Sequence, residues 1–369
     1  MKIYLVGGAV RNELLGINIE DRDWLVVGSN REEMVKLGFI QVGKNFPVFL
    51  HPRKKEEYAL ARKEVKVSKG HHGFELYCTK KISLREDLKR RDLTINAMVI
   101  DKITGKIYDP FLGRKDLALK KLRHVSDSFR EDPLRIVRLA RFHAKFFYLG
   151  FSISSKTIIL SKSIINTDEL LSLSGERIYK ELMKALSTNS PWVFFETLHM
   201  LKVFKKILKP MEKIISRKEI FSPLKTAISE KVTNSYILFS LVFFNMTEKD
   251  ISSISDYMKI PNLLRKLVLD LNKFNSILNF PHNFSPQVLL QSLIQVNFFR
   301  NQYYMEVLLK SCYLIKKDKN VLQNHEKIIS AVKKIIGFQF NERTRGIKRE
   351  EVANLVWKIK LDLVKKIVY

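Results

Sequence analysis

The spacing of hydrophobic positions changes between residues 125 and 133. Before that point, short runs rich in β-branched and aromatic residues alternate with helical patterns. After it, apolar residues recur every three or four positions, and glycine and proline become rare. The sequence therefore predicts an α/β or α+β segment followed by an all-helical remainder. The predicted strands are KIYLV, DWLVVG, PVFLHP, EYALAR and AMVID, and REEMVKLG is a predicted helix.

The helical remainder is predicted from four amphipathic stretches at 135–146, 176–186, 191–208 and 262–278. Its longest apolar run, YILFSLVFFNM at 236–246, is well below the roughly 20 residues that a bilayer span needs. The N-terminal apolar run is also too short for a signal peptide. We therefore expect a soluble protein with no membrane association and a buried helix at 236–246.

The charge of the chain changes this picture of an ordinary globular protein. It has 369 residues with 66 Lys+Arg against 38 Asp+Glu, a net charge of +28. Such an excess attracts polyanions, most often nucleic acid or an anionic membrane, although a lysine-biased genome would also produce it. Two cysteines, Cys78 and Cys312, cannot form a disulfide framework, which fits a cytoplasmic protein.

The first candidate for chemistry lies at the end of the first predicted strand. Gly7 and Gly8 follow KIYLV, and a predicted helix starts at once and ends before Gly16. Glycines there let the backbone approach a ligand closely, and a helix N-terminus offers free N–H groups to a phosphate. Arg11 lies in the first turn and can add a fork of donors. A tight turn with a surface arginine would give the same pattern.

Asp21 and Asp23 open the second predicted strand. Residues two apart in a strand project from the same face, so both carboxylates should point at one spot. Two such carboxylates repel each other unless a cation lies between them. Magnesium is commonly held by one or two carboxylates together with nucleotide phosphates. The spacing after the glycine pair therefore suggests a nucleotidyl-transfer centre.

Two further motifs place arginine beside aspartate. Arg90, Arg91 and Asp92 precede LTINAM, which we interpret as a strand. In EDPLR, Asp132 is a candidate N-cap with Pro133 at the first helical position. Capping does not explain the arginines at 135, 138 and 141, which the three-residue spacing places along one ridge of the helix.

These motifs, in this order, resemble those of the class II tRNA nucleotidyltransferases, which include the bacterial CCA-adding enzymes and related poly(A) polymerases. The resemblance is dense over residues 1–145 and thinner beyond. It implies an α+β fold with a small mixed β-sheet and flanking helices in a catalytic head. An all-α neck, body and tail would follow. We expect the head at 1–126, a neck that recognises the nucleotide base at 127–210, and a body and tail that bind tRNA at 211–369.

The resemblance also implies roles for individual residues. Asp21 and Asp23 would be catalytic and hold Mg²⁺. Asp132 and Arg135 would act as the template for the incoming base, because a carboxylate only accepts hydrogen bonds and a guanidinium only donates them. Cytosine and adenine match this pair, whereas guanine and uracil do not. The implied nucleotide-binding residues are Gly8, Arg11, Arg91, Asp132, Arg135 and Arg138.

The implied activity is template-independent addition of C, C and A to the 3′ end of tRNA from CTP and ATP, with release of pyrophosphate. A poly(A) polymerase shares these motifs, but those enzymes commonly carry a basic extension before the first strand. A CC-adding enzyme is disfavoured because the loop at 62–77 looks intact, and an inactive RNA-binding relative because the carboxylates are present. No histidine is followed by Asp, so we expect no HD phosphohydrolase site.

Overall fold

The computed structural model describes the chain except for residue 20 and residues 43–47, 67–73, 217–218 and 339–347. Within the described residues the chain divides into two compact units, Met1–Glu212 and Lys213–Tyr369. The central part of the predicted 62–77 loop lies outside the described residues. The finer division at residues 126 and 210 stays a prediction.

The first unit contains a mixed β-sheet, as predicted. Seven described strands lie in the order β3-β4-β5-β2-β1-β8-β9, with β2 and β5 parallel and every other neighbouring pair antiparallel. Two small two-stranded sheets, β6 with β7 and β10 with β11, complete the described β-structure. The strands are β1 (Lys2–Val6), β2 (Asp23–Val27), β3 (Ile40–Val42), β4 (Val48–Leu50), β5 (Glu57–Leu60), β6 (Lys63–Lys66), β7 (Phe74–Tyr77), β8 (Val99–Asp101), β9 (Ile107–Tyr108), β10 (Lys121–Leu122) and β11 (Ser152–Ile153).

Alternation along the central strands gives the sheet two apolar faces. Tyr4 and Leu25 belong to a core cluster on one face, and Val26 and Tyr58 belong to a cluster on the other. Burial of both faces explains why β1 and β2 are nearly continuous apolar runs. The polar residues at the ends of these strands are therefore exceptions that need a separate explanation.

Helices surround the sheet and continue beyond it in the first unit. LTINAM, interpreted above as a strand, is instead interrupted by the 3₁₀ helix Thr94–Asn96. The stretch 191–208, predicted as one helix, is two helices separated at Lys202, whose φ is +66°. The helices are α1 (Gly8–Leu14), α2 (Arg31–Lys36), α3 (Leu84–Lys89), α4 (Gly113–Ala118), α5 (Leu134–Phe146), α6 (Ser155–Ile165), α7 (Gly175–Leu186), α8 (Trp192–Met200), α9 (Val203–Lys206) and α10 (Lys209–Ile215), the last of which contains the division between the units.

In the second unit every secondary-structure element of the described residues is a helix, as the periodicity predicts. The apolar run at 236–246 forms α12, which is buried along most of its length, so that prediction is confirmed. No helix in the described residues is both long and apolar enough to cross a bilayer. The helices are α11 (Ser222–Ser229), α12 (Ser235–Phe243), α13 (Glu248–Met258), α14 (Asn262–Asn279), α15 (Pro286–Gln295), α16 (Gln302–Lys316), α17 (Lys319–Ile336) and α18 (Arg349–Val368).

Candidate active site

A cleft of about 630 Å³ in the first unit brings together most of the residues that the sequence nominated. Its walls come from the β1–α1 turn, the start of β2, the residues after α3 and the first turns of α5. Asp21 is the one nominated residue that does not line the cleft. The nominated residues that do line it are Gly8, Arg11, Asp23, Arg91, Asp132, Arg135 and Arg138.

The glycine pair after β1 lies in contact with two guanidinium groups. Gly7 has a φ of +72°, in the left-handed region that favours glycine. A Cβ on Gly7 would lie 3.4 Å from Nη1 of Arg91, and one on Gly8 would lie 3.4 Å from Nη2 of Arg11. The turn therefore does more than reverse the chain, because it brings backbone and cationic side chains together at the cleft.

Arg11 is a buried cation held by amides and aromatic rings. Only 4% of the residue is exposed. Its Nη1 donates to Oδ1 of Asn96 at 2.5 Å, and its guanidinium lies 5.4 Å from the Phe142 ring centroid and 4.9 Å from that of Phe146. Burial lowers the pKa of Arg11 to about 10, so the side chain stays protonated at neutral pH. Within the described residues Arg11 forms no ion pair, and a buried cation in that state favours an anionic ligand.

Arg90 and Arg91 share one buried carboxylate, that of Asp87 on α3. Nη2 of Arg90 lies 2.6 Å from Oδ1 of Asp87, and Nη2 of Arg91 lies 3.3 Å from Oδ2. Burial lowers the pKa of Arg91, and the Asp87 charge opposes that effect. The Nε atom of Arg91 is buried and lacks a hydrogen-bond partner among the described residues. An unpaired donor in a cleft is costly unless a ligand accepts a hydrogen bond from it.

Asp92 fixes Arg138 on the wall of the cleft. Its Oδ2 accepts from Nε and Nη2 of Arg138 at 2.8 and 2.7 Å, while Oδ1 accepts from the amide of Asn96 at 3.0 Å. Burial alone would raise the pKa of Asp92, but the Arg138 charge and these hydrogen bonds hold it well below its usual range. Asp92 therefore stays ionised and orients Arg138 rather than acting as a proton carrier.

The two proposed base-reading residues already have partners within the protein. Arg135 donates from Nη1 to the Ser128 carbonyl and from Nη2 to the Arg90 carbonyl, both at 2.6 Å. Asp132 accepts from the Leu134 amide at 3.0 Å, a cap-type bond, although the helix begins one residue later than predicted. Arg177 of α7 donates to both Asp132 oxygens, at 3.2 and 2.7 Å. These contacts hold both groups in fixed orientations.

Asp23 stands at the first position of β2, where the cleft meets the sheet. Burial in the cleft raises the pKa of Asp23; Arg91 opposes this shift and the Asp21 charge adds to it. Both carboxylates are exposed, but Asp21 precedes the strand, so the strand argument for the pair holds only for Asp23. Glu57 of β5 is paired in register with Asp23 and also lines the cleft.

The donor set at this end of the sheet fits a hard divalent cation. Asp21 and Asp23 offer only oxygen ligands, and their mutual repulsion is what a bound cation would relieve. Among the described residues there is no group of three or more His, Cys, Asp or Glu side chains arranged to hold a metal ion. Two carboxylates suit Mg²⁺, which keeps its remaining positions for water and substrate phosphates.

Two stretches of the chain match models of known protein families. Residues 3–123 match the model described as "Poly A polymerase head domain". Residues 150–215 match the one described as "Probable RNA and SrmB- binding site of polymerase A". The cleft residues of the β1–α1 turn, of β2 and after α3 all lie within the first of these matches.

Full-length relatives decide the family. A "CCA-adding enzyme" of Francisella tularensis subsp. novicida is 38% identical, with 99% of both chains covered. One of Marinobacter nauticus is 38% identical over 96% of this chain and 98% of that relative. The chain belongs to the CCA-adding enzymes. The predicted family is thereby confirmed, as is the prediction of a nucleotidyltransferase that acts in tRNA processing and binds nucleotides. The family uses a divalent metal.

Solved structures of CCA-adding enzymes have the same fold. The apo structure "form II" superposes with a TM-score of 0.76 at 21% identity, covering 98% of this chain and 88% of that one. A complex with ATP gives a TM-score of 0.73 and covers 98% and 86%. The Thermotoga maritima enzyme "complexed with tRNA_CCA" gives 0.70 and covers 100% and 90%. The predicted fold class is confirmed.

Two residues that line the cleft, Glu57 and Arg177, and one beside it, Glu181, were missed in the sequence. Glu57 faces the cleft only because β5 pairs in parallel with β2, which no local pattern reveals. Arg177 and Glu181 lie four positions apart on α7, so helical periodicity places them on one face. Glu181 contacts Arg141, and its Oε1 lies 3.8 Å from Nη1 of Arg138. The ERIYKE pattern was therefore a usable signal for this part of the site.

Proposed function

We propose that this CCA-adding enzyme transfers two cytidylyl groups and then one adenylyl group from CTP and ATP to the 3′ end of tRNA, in this cleft and with Mg²⁺. The proposal is carried by one observation. A carboxylate fit for a metal, guanidinium groups fit for a triphosphate, and an acceptor–donor pair fit for a base all line the same cleft. Because tRNA and nucleoside triphosphates are cytoplasmic, we infer that the enzyme works in the cytoplasm.

The chemical step is a phosphoryl displacement. The 3′ oxygen of the tRNA forms a bond to the α-phosphorus, the bond from that phosphorus to pyrophosphate breaks, and the hydroxyl proton is released to solvent. Asp21 and Asp23 would hold Mg²⁺, which when bound polarises the phosphate and favours the ionised hydroxyl. Arg11 and Arg91 hold the triphosphate. Its negative charge pairs with the buried cation of Arg11, and one of its oxygens accepts from the Nε–H of Arg91. Gly8 lets the phosphates approach the backbone.

Selection of the base follows from the fixed orientation of Asp132 and Arg135. The carboxylate of Asp132 has about four acceptor positions. Arg177 and the Leu134 amide take three of them, so at least one on Oδ2 is available for an exocyclic amine. Arg135 donates to a ring nitrogen of the base through an N–H group other than the two that already donate to the carbonyls of Ser128 and Arg90. A base with a carbonyl and a ring N–H at these positions meets acceptor with acceptor and donor with donor, which costs a few kcal/mol.

Positive charge supports tRNA as the polynucleotide substrate. The net charge of +28 suits contacts with phosphates that depend on ionic strength. Lysine-rich helical segments such as KVFKKILK and LIKKDKN favour recognition of double-stranded RNA by shape and backbone, without base reading. Arg138 supports the nucleotide from the wall of the cleft, where Asp92 fixes it.

The test is a 3′-end assay with a tRNA that lacks its last three nucleotides. The purified protein is incubated with Mg²⁺ and with CTP, ATP, GTP and UTP singly and together, and the ends are sequenced. We expect addition of CC with CTP alone and of CCA with CTP plus ATP. A long adenosine tail would identify a poly(A) polymerase, and addition that stops at CC would identify a CC-adding enzyme. Either result overturns the proposal.

Variants separate catalysis from RNA binding. Replacing Asp21 and Asp23 with Ala should abolish turnover, by at least about 10³-fold, because the metal supplies several kcal/mol. The affinity for tRNA, measured by filter binding without nucleotide, should stay within about twofold. A wild-type protein that binds tRNA and never extends it would be an inactive relative.

A further inference from the structure

The side chain of Glu64 joins the hairpin formed by β6 and β7 to Arg90, the first residue of the Arg90–Asp92 motif. Glu64 of β6 accepts from Nη1 of Arg90 at 2.8 Å and from Nε of Arg62 at 2.9 Å, all through Oε1. The side chains of Glu64, Arg90 and Arg62 are only 15–17% exposed. Ion pairs that are this sheltered from solvent are stronger than surface pairs and hold their partners in one geometry.

Arg90 has contacts with both groups that we propose to bind nucleotide. Through its guanidinium it shares the buried carboxylate of Asp87 with Arg91. Through its backbone carbonyl it accepts from Nη2 of Arg135 at 2.6 Å. A displacement of Arg90 would therefore move a proposed triphosphate ligand and a proposed base reader together.

We propose that Glu64 is a positioning residue for nucleotide binding, which fixes Arg90 and through it both Arg91 and Arg135. This inference rests on the function proposed above. Glu64 itself is absent from the lining of the nucleotide cleft and faces a second cavity of about 550 Å³ behind Arg90. Its effect on nucleotide must accordingly pass through its partners Arg90 and Arg62, which both line the nucleotide cleft. Of the two, Arg90 is the one that contacts Arg135 and shares Asp87 with Arg91. The hydrogen bond from the Arg62 amide to Oδ1 of Asp87, at 3.3 Å, ties the residue before β6 to the same network.

The hairpin offers a matched control on its other strand. Glu75 of β7 is exposed and accepts from the hydroxyl of Tyr77 at 2.5 Å, so its contact stays within the hairpin. Glu64→Gln and Glu75→Gln each remove one negative charge from the same element. Only the first removes one of the two charged partners of Arg90, the other being Asp87.

The experiment measures single-nucleotide addition with the full-length protein at saturating tRNA. For Glu64→Gln we expect KM for both CTP and ATP to rise about tenfold with kcat within about threefold, since Arg91 and Arg135 bind ground and transition state alike. Incorporation of UTP relative to CTP should also rise, because Arg135 is less firmly held. Glu75→Gln should match the wild type in all three quantities.

A double-mutant cycle keeps the inference testable if Glu64→Gln also lowers the melting temperature. In an Arg90→Lys background, whose ammonium lacks the planar guanidinium that meets Glu64 and Asp87 in fixed directions, Glu64→Gln should change KM by less than about threefold. Additive effects, an unchanged KM, or a loss in kcat alone would each overturn the positioning role. If the wild-type protein adds CCA to tRNA but the variants do not show the expected changes in KM, only the inference about Glu64 is wrong. A wild-type protein without activity would instead count against the proposed function.

Discussion

Arg177 and Asp132 form a bidentate ion pair in the cleft, in which Nη1 donates to Oδ1 at 3.2 Å and Nη2 donates to Oδ2 at 2.7 Å. The two residues are 45 positions apart, on α7 and just before α5. Both side chains are about one-fifth exposed. The planar guanidinium fixes the plane of the carboxylate, so in the proposed reaction it would determine how Asp132 meets a base.

Replacing Arg177 with Met should weaken nucleotide binding and selectivity. Without its partner the Asp132 carboxylate can rotate, so we expect KM for CTP and ATP to rise about tenfold and UTP incorporation relative to CTP to increase. Arg177→Lys, which supplies a point charge without the fork, should fall between Met and wild type. Steady-state kinetics with each nucleotide measures this. A lower KM in Arg177→Met would mean that Arg177 competes with the base, contrary to the orienting role.

Asp23→Asn should stabilise the protein when neither metal nor nucleotide is present. The pKa of Asp23 is raised in the folded state by burial and by Asp21, so the ionised carboxylate opposes folding once the pH exceeds that pKa. Removing the charge relieves this cost, and because Asp23 is exposed and screened by solvent we expect only a small rise in the melting temperature at pH 7. Thermal melting in EDTA measures it. Added Mg²⁺ should raise the melting temperature of the wild type and leave Asp23→Asn nearly unchanged.

The opposite result would contradict this account of Asp23. A variant less stable than wild type in EDTA would show that the carboxylate makes a favourable contact in the apo protein. Glu57→Gln is a useful comparison, because Glu57 is paired in register with Asp23 and lines the same cleft.

Local sequence patterns were sufficient for the residues whose role depends on their neighbours in the chain. The Gly7–Gly8 turn, the start of β2 at Asp23 and the arginine ridge of α5 follow from strand ends, glycine and three-residue spacing. Glu57 and Arg177 did not follow, because each meets its partner through a tertiary contact across more than 30 residues. Pairing in a parallel register leaves no period of its own in the sequence.

The error at LTINAM has a physical cause of the same kind. Its β-branched residues favour a strand, but the Thr94 amide donates to the Arg123 carbonyl and the Thr94 hydroxyl donates to Asp116, both tertiary contacts. These bonds bend the segment into a 3₁₀ turn that places Asn96 against Arg11 and Asp92. Tertiary contacts therefore outweigh local strand propensity in this segment, and they place the Asn96 amide between Arg11 and Asp92.

Nucleotide should stabilise the fold through Arg11. This buried cation has amide and aromatic partners but no ion pair within the described residues, so a triphosphate supplies the missing charge. At a CTP concentration of 100 times Kd we expect about 2.7 kcal/mol of stabilisation, seen as a rise in melting temperature. Arg11→Met should remain folded and lose most of that rise at the same CTP concentration. An undiminished rise would exclude Arg11 as a triphosphate ligand.

Asp92→Asn should destabilise the protein in a way that depends on pH. The pKa of Asp92 is depressed in the folded state by Arg138 and by hydrogen bonds, so its contribution is present above the ordinary Asp pKa of 3.8 and is lost as the pH falls below it. Removing the charge leaves Arg138 without its main partner, and we expect a loss of about 3 kcal/mol at pH 7. Urea unfolding at pH 7 and pH 3 measures the difference in the free energy of unfolding between variant and wild type. This difference should be smaller at pH 3, because Asp92 is then largely protonated in the unfolded chain but still ionised in the folded wild type, so that folding must release the proton. An equal difference at both pH values would mean that the amide disturbs packing and that the ionised carboxylate contributes little.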